Sequence, residues 1–173
     1  MAKLIMLRGN SGSGKTTVAK ILQKKLGHGT MLISQDVVRR EILYVKDGKK
    51  KNINDLLFKL AMFGKENCEI VILEGILNSK YYSSLFEKIL SEFKNNIYAF
   101  YFNIPFEETL KRHKTRQSSK EFGETEMKKW WKDKDLIKTI PETLICKELS
   151  AEEIVNMIYQ KIKREEAKKY ESR

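Results

Sequence analysis

The chain has 173 residues, 41% of them hydrophobic, which suits one domain, residues 1–173, with a single continuous core. Its formal charge of +11, from 34 Lys and Arg against 23 Asp and Glu, favours anionic ligands, yet the basic residues are dispersed and only residues 49–51 form a run, so most of the charge reads as solvated surface. Apolar runs such as residues 4–7 and 71–73 are far shorter than the roughly 20 residues of a membrane-spanning helix, and the N-terminus lacks a signal-peptide pattern, so the expected location is the cytoplasm.

Residues 3–8 form an apolar run that stops at Gly9 and predict a first strand buried on both faces. There follows Gly9-Asn10-Ser11-Gly12-Ser13-Gly14-Lys15-Thr16, a full match to GxxxxGK[ST], and then a helical pattern through Val18, Ile21, Leu22 and Leu26. Strand, glycine-rich loop and helix in that order make a phosphate cradle. The glycines let backbone N–H groups converge on phosphates, the helix N-terminus adds its dipole, and Thr17 extends the contact beyond Thr16. Lys15 is placed to reach the β- and γ-phosphates of ATP, and the Thr16 hydroxyl to bind Mg²⁺. Residues 30–34 predict a second strand, which ends at Ser34-Gln35-Asp36 and runs into a helical pattern over 37–44 that contains Arg39. A helix over 56–63 follows, then a third strand over 69–74 that ends on Glu74, where the magnesium-side acid of such a site belongs.

A helix over 82–93 precedes a fourth strand over 97–102. Pro105 suits the first turn of the next helix, over 106–116, where Arg112 and Arg116 lie four apart on one face. Both arginines would clamp charge developing on the γ-phosphate from a lid spanning about 112–131, with no acidic partner of their own and His113 as a polar neighbour. Residues 117–123 read as loop. Met127, Trp130 and Trp131 then fit a short amphipathic helix, the tryptophans read first as packing and alternatively as a stacking surface. A weaker strand over 143–146 precedes a last helix over 151–163, opened by a Ser150/Glu153 capping box. Cys68 and Cys146 form no metal-binding pattern and are expected to be buried thiols. Alternating strand and helix predict an α/β fold, a five-stranded parallel sheet with helices on both faces and ligands at the carboxyl ends of the strands.

The P-loop, the strand-end Asp36 and Arg39 three residues on resemble the small P-loop kinases that include polynucleotide 5′-kinases, chloramphenicol phosphotransferases and zeta toxins, and so a P-loop NTPase three-layer fold with a small lid. That resemblance implies that Asp36 takes the proton of the acceptor hydroxyl and that Arg39 holds the acceptor. The phrase Ile72-Leu73-Glu74-Gly75-Ile76 is instead similar to uridine kinases, and it adds Glu74 to the acceptor side. A helix-capping Asp36 is the plainer alternative. The expectation is an ATP- and Mg²⁺-dependent phosphotransferase with Lys15, Asp36, Arg112 and Arg116 as its catalytic residues. Its favoured acceptor is a nucleoside hydroxyl, with antibiotic or sugar hydroxyls, a polynucleotide 5′ end, and a non-catalytic nucleotide switch as alternatives. No NKxD guanine motif is present, which favours ATP.

Overall fold

In a computed structural model that describes residues 2–46, 51–114 and 123–171, the sequence periods resolve into five strands and seven helices among the described residues. They are β1 (Lys3–Gly9), α1 (Lys15–Leu26), β2 (Thr30–Ser34), the one-turn α2 (Gln35–Val37), α3 (Lys51–Asn67), β3 (Ile70–Gly75), α4 (Ser83–Phe93), β4 (Ile97–Phe102), α5 (Phe106–Lys114), α6 (Glu124–Trp130), β5 (Glu142–Ile145) and α7 (Ala151–Glu171).

The strands form one sheet in the order β2-β3-β1-β4-β5, every pair parallel. Central strands buried on both faces need apolar residues at successive positions, and Leu4, Ile5, Met6 and Leu7 of β1 meet that need by facing two different cores. Leu4 and Met6 join Ile53, Leu57 and Ala61 of α3 and Leu85, Phe86 and Ile89 of α4 on one face. Ile5 and Leu7 join Val18 and Leu22 of α1 and Ile154, Ile158 and Ile162 of α7 on the other. The α7 stripe follows the 3.6-residue period, and its start is fixed by the expected box: Glu153 N–H donates to Ser150 Oγ at 3.2 Å and Ser150 N–H to Glu153 Oε2 at 2.8 Å. Gly64 sets the approach of α3 to the sheet, since a Cβ there would lie 2.6 Å from Val71 Cγ2 and 2.9 Å from Met31 Sδ.

Three expectations change. The helix over 37–44 is a single α-turn followed by a π-helical turn, Val38–Ile42, closed by Leu43 N–H to Val38 O at 2.9 Å; β-branched Val37, Val38 and Ile42 give this stretch little intrinsic hold on a regular helix. The cysteines are not both buried. Cys68 is half-buried and Cys146 is exposed, because β5 is an edge strand whose last residue, Ile145, fills the core and turns its successor outward. His113, expected as a polar lid residue, is buried on the inner side of α5 with Thr109.

Register brings the site together. Ser34 pairs with Glu74, Leu7 with Glu74, Arg8 with both Gly75 and Tyr101, and Gly9 with Phe102, so the phosphate loop and both strand-end acids emerge along one edge of the sheet.

Candidate active site

The loop between β1 and α1 turns on three glycines at positive φ, Gly9 (145°), Gly12 (78°) and Gly14 (99°), conformations that L side chains rarely adopt. Two of them also sit against backbone. A Cβ on Gly9 would lie 2.8 Å from Phe102 O, and one on Gly12 would lie 2.7 Å from Thr109 O, so the loop is packed onto the end of β4 and the middle of α5. Lys15 is 6% exposed and its ammonium donates to Asn10 O at 2.7 Å and Ser13 Oγ at 3.1 Å, which curls the loop around the charge. Ser11 is half-buried at the loop's crest, and Thr16 and Thr17 follow in the exposed first turn of α1.

Glu74 lies directly across from Thr16. The Thr16 hydroxyl donates to the Glu74 carboxylate, 3.2 Å from each oxygen, and Ser34 Oγ donates to Oε1 at 2.5 Å. Thr16 and Glu74 therefore offer hard oxygen ligands side by side, a donor set that suits Mg²⁺, which keeps water and phosphate oxygens for the rest of its shell. No group of three or more His, Cys, Asp or Glu able to hold a metal by itself occurs among the described residues. Ser34 is an addition to the site that the sequence reading lacks.

Thr16 and Glu74 open onto a cleft of about 340 Å³ that is lined also by Lys15, Gln35, Asp36, Arg39, Arg40, Lys46 and Trp130. Asp36 sits in the first turn after β2, and its carboxylate accepts from Arg39 Nη2 at 2.7 Å and Arg40 Nη1 at 3.5 Å. The floor is made rigid by Gln35, which is buried, donates to Tyr82 Oη at 3.1 Å and fills the space above Gly75, where a Cβ would lie 2.6 Å from Gln35 Cβ.

Arg112 reaches the loop from α5: its Nη1 donates to Ser13 O at 3.3 Å, and its Nε to Glu108 Oε1 at 2.8 Å. Arg112 is thus charge-compensated within its own helix, contrary to the expectation of no acidic partner. Its proposed companion Arg116 lies outside the described residues. Beyond it, α6 carries Met127 into the core and Trp130 to the cleft, where it is 42% exposed, while Trp131 packs edge-on against Phe106, with ring centroids 5.1 Å apart at 81°. Asn10 holds this segment in place, its Nδ2 donating to Lys132 O at 2.7 Å and its Oδ1 accepting from Lys132 N–H at 3.1 Å. The loop motif signals only that position 10 is free to vary, so this clamp had no sequence signature.

Beneath the loop, Arg8 is fully buried. Its guanidinium pairs with Glu142 at 2.8 Å and Asp135 at 3.1 Å, donates to Leu77 O, and lies over the rings of Phe86 and Tyr101. Leu77 adopts a positive φ of 43° that turns its carbonyl toward the arginine.

The AAA domain family matches residues 4–133. The chain belongs to that family. No curated protein sequence matches it. Solved structures similar to this AAA-domain protein include the APS kinase of Mycobacterium tuberculosis in complex with AMPPNP and APS (TM-score 0.65, 16% identity, 92% of this chain and 96% of that one). Shikimate kinase from Acinetobacter baumannii in complex with shikimate is similar (TM-score 0.64, 16% identity, 95% of both chains), as is a gluconokinase from Sinorhizobium meliloti (TM-score 0.59, 16% identity, 98% and 97%). These likenesses establish the P-loop NTPase fold with its five-stranded parallel sheet. No described helix is long and apolar enough to cross a membrane.

Proposed function

We propose that this AAA-domain protein is an ATP- and Mg²⁺-dependent kinase that phosphorylates a hydroxyl of a small molecule, with a nucleoside the favoured acceptor. The observation that carries the reading is one cleft lined both by Ser11, Gly12, Lys15 and Thr16 of the phosphate loop and by the Asp36–Arg39 pair. A pure nucleotide switch has no use for that pair. Similarity in fold to three kinases of small molecules supports the same chemistry.

In this mechanism the backbone of residues 9–16 and the Lys15 ammonium hold the β- and γ-phosphates. Thr16 and Glu74 would hold Mg²⁺, which supplies positive charge to the phosphate oxygens when bound. Asp36 accepts the proton of the acceptor hydroxyl as that oxygen bonds to the γ-phosphorus, and the bond from the γ-phosphorus to the bridging oxygen breaks to release ADP. Arg39 orients Asp36 and the acceptor. Arg112 adds charge at the loop from the α5 side. Trp130 supports a nucleoside because a flat base stacks on an indole face.

Phosphate transfer from γ-labelled ATP, screened across nucleosides, aminoglycosides, chloramphenicol, sugars and 5′-hydroxyl oligonucleotides, tests the proposal. Labelled product with at least one acceptor is the expected result. ATP binding with no transfer to any acceptor class, together with nucleotide-dependent capture of a protein partner, would replace the kinase by a switch.

A further inference from the structure

Three successive residues at the end of β2 turn to three different tasks. Ser34 bonds Glu74 and Asp36 pairs with Arg39, while Gln35 between them is 5% exposed and lines the same cleft. Its amide is held at one end only. Nε2 donates to Tyr82 Oη at 3.1 Å, and the carbonyl oxygen accepts from no described residue. That oxygen is not sealed in protein; it meets the open cleft over Gly75, where a Cβ would come within 2.9 Å of it. Gln35 Cβ lies 2.6 Å from the same point, so the side chain is seated on the end of β3 as well as braced by the tyrosine.

An amide oxygen carries two lone pairs and can only accept. Buried polar groups in folded proteins nearly all find a partner, so an unengaged oxygen held rigid at a cleft wall marks a place where a donor belongs. An oxyanion there would set lone pair against lone pair; the matching group is an O–H or an N–H. We propose that Gln35 is a specificity-determining residue whose carbonyl oxygen accepts a hydrogen bond from a second donor of the substrate, an O–H or N–H other than the hydroxyl that Asp36 addresses. This rests on the kinase reading and narrows it to substrates with at least two donor groups, such as a nucleoside, a polyol or an amide-bearing alcohol. A simple alcohol would cover the oxygen without pairing it and lose affinity for that reason. Gln35 moves no proton in this scheme. It selects which molecule reaches Asp36.

The full chain, saturated with AMP-PNP and Mg²⁺, is titrated by calorimetry with uridine, chloramphenicol and glucose, neutral probes rich in O–H and N–H groups. Saturable binding of at least one is expected. Deoxy and N-methyl derivatives of that probe then remove its donors one at a time. A removal that deprives Gln35 of its partner should weaken binding to the wild type about ten-fold or more, the scale of one buried polar group left unmatched, and its position tells a hydroxyl from an N–H. Gln35→Met should erase that one preference, binding parent and derivative alike, with AMP-PNP affinity held. Gln35→Glu keeps an acceptor oxygen and should keep the preference. A merely structural glutamine would lower affinity for parent and derivative by the same factor. No saturable binding of any probe, a wild type indifferent to every single removal, or a set of preferences left unchanged by Gln35→Met overturns the proposal. Transfer from γ-labelled ATP is measured beside these titrations: no transfer, with the donor-dependent binding intact, sinks the kinase reading and leaves the assignment of Gln35 standing.

Discussion

Lys15 sits at 6% exposure with its ammonium spread between Asn10 O and Ser13 Oγ, so the charge is already desolvated and aimed into the loop. Lys15→Ala should keep the fold, since the glycines and the Thr109 contact still shape the loop, while transfer falls by about 10²-fold or more, the scale seen when one preorganised donor at a reacting group is lost. Circular dichroism and turnover on one preparation check this; wild-type turnover would remove the central claim. Asp36 makes a second, separable case. Asp36→Asn keeps the shape but cannot take a proton, so nucleotide affinity should hold within a few-fold while transfer is lost. Equal loss of binding and transfer would give Asp36 a structural role. Lys15 and Thr16 were legible because the loop motif fixes them by spacing. Ser34, Gln35 and Lys46 were not, because their place depends on which strands become neighbours, and a sequence read along the chain does not show that β2 lies beside β3 with Ser34 opposite Glu74.

Strands and the loops that join them depend on the buried charge cluster around Arg8. It ties β1 to β5 through Glu142, to the turn after β3 through Leu77 O, and to the segment after α6 through Asp135, which Ser79 also holds by its N–H at 2.8 Å. Arg8→Met should cost about 3–5 kcal/mol in denaturant unfolding, because Glu142, nearly as buried as its partner, is left an unpaired charge. A loss under about 1 kcal/mol would show the cluster to be dispensable. Tyr101 gives the cluster an alkaline limit: its hydroxyl accepts from Asp135 N–H at 3.1 Å, and burial first, then the Asp135 charge, raises its pKa above the ordinary 10.0. A raised folded-state pKa means that the unfolded chain loses the proton first, so the stability tied to this group is complete below about pH 10 and declines as the pH climbs toward the folded value. Unfolding midpoints between pH 8 and 11 should fall at the alkaline end, and less so in Tyr101→Phe. In the sequence Arg8 reads only as the polar end of an apolar strand. Its partners lie 69 to 134 residues away, beyond any periodicity argument.

Across the whole molecule the phosphate loop is the hub that joins both walls of the cleft. Glu74 and Ser34 meet it from the β2–β3 side through Thr16, and Asn10 grips the backbone of Lys132, which follows directly on the α6 segment that carries Trp130. From above, α5 lies against Gly12 at Thr109 and reaches Ser13 O through Arg112. The sheet and its helical layers were legible because long apolar periods specify them, whereas Arg112 was misread in its electrostatics: Glu108, one turn before it, supplies the compensation that was expected to be missing. That pairing shapes the last expectation. Glu108 neutralises Arg112 at 2.8 Å while the Nη1 side of the guanidinium stays against the loop, so in the proposed kinase mechanism the ground-state attraction to ATP would be partly cancelled and the arginine would contribute most when extra charge develops on the transferring group. Arg112→Ala should therefore lower the maximal rate by about ten-fold or more while the apparent affinity for ATP changes by no more than about three-fold. Glu108→Gln separates the two effects, since it removes the compensation and keeps the arginine: ATP should bind somewhat more tightly and the maximal rate should be largely retained. Steady-state kinetics of both variants decide the point. Parallel losses of rate and affinity in Arg112→Ala would make Arg112 a general ATP-binding cation rather than a group spent on the transition state.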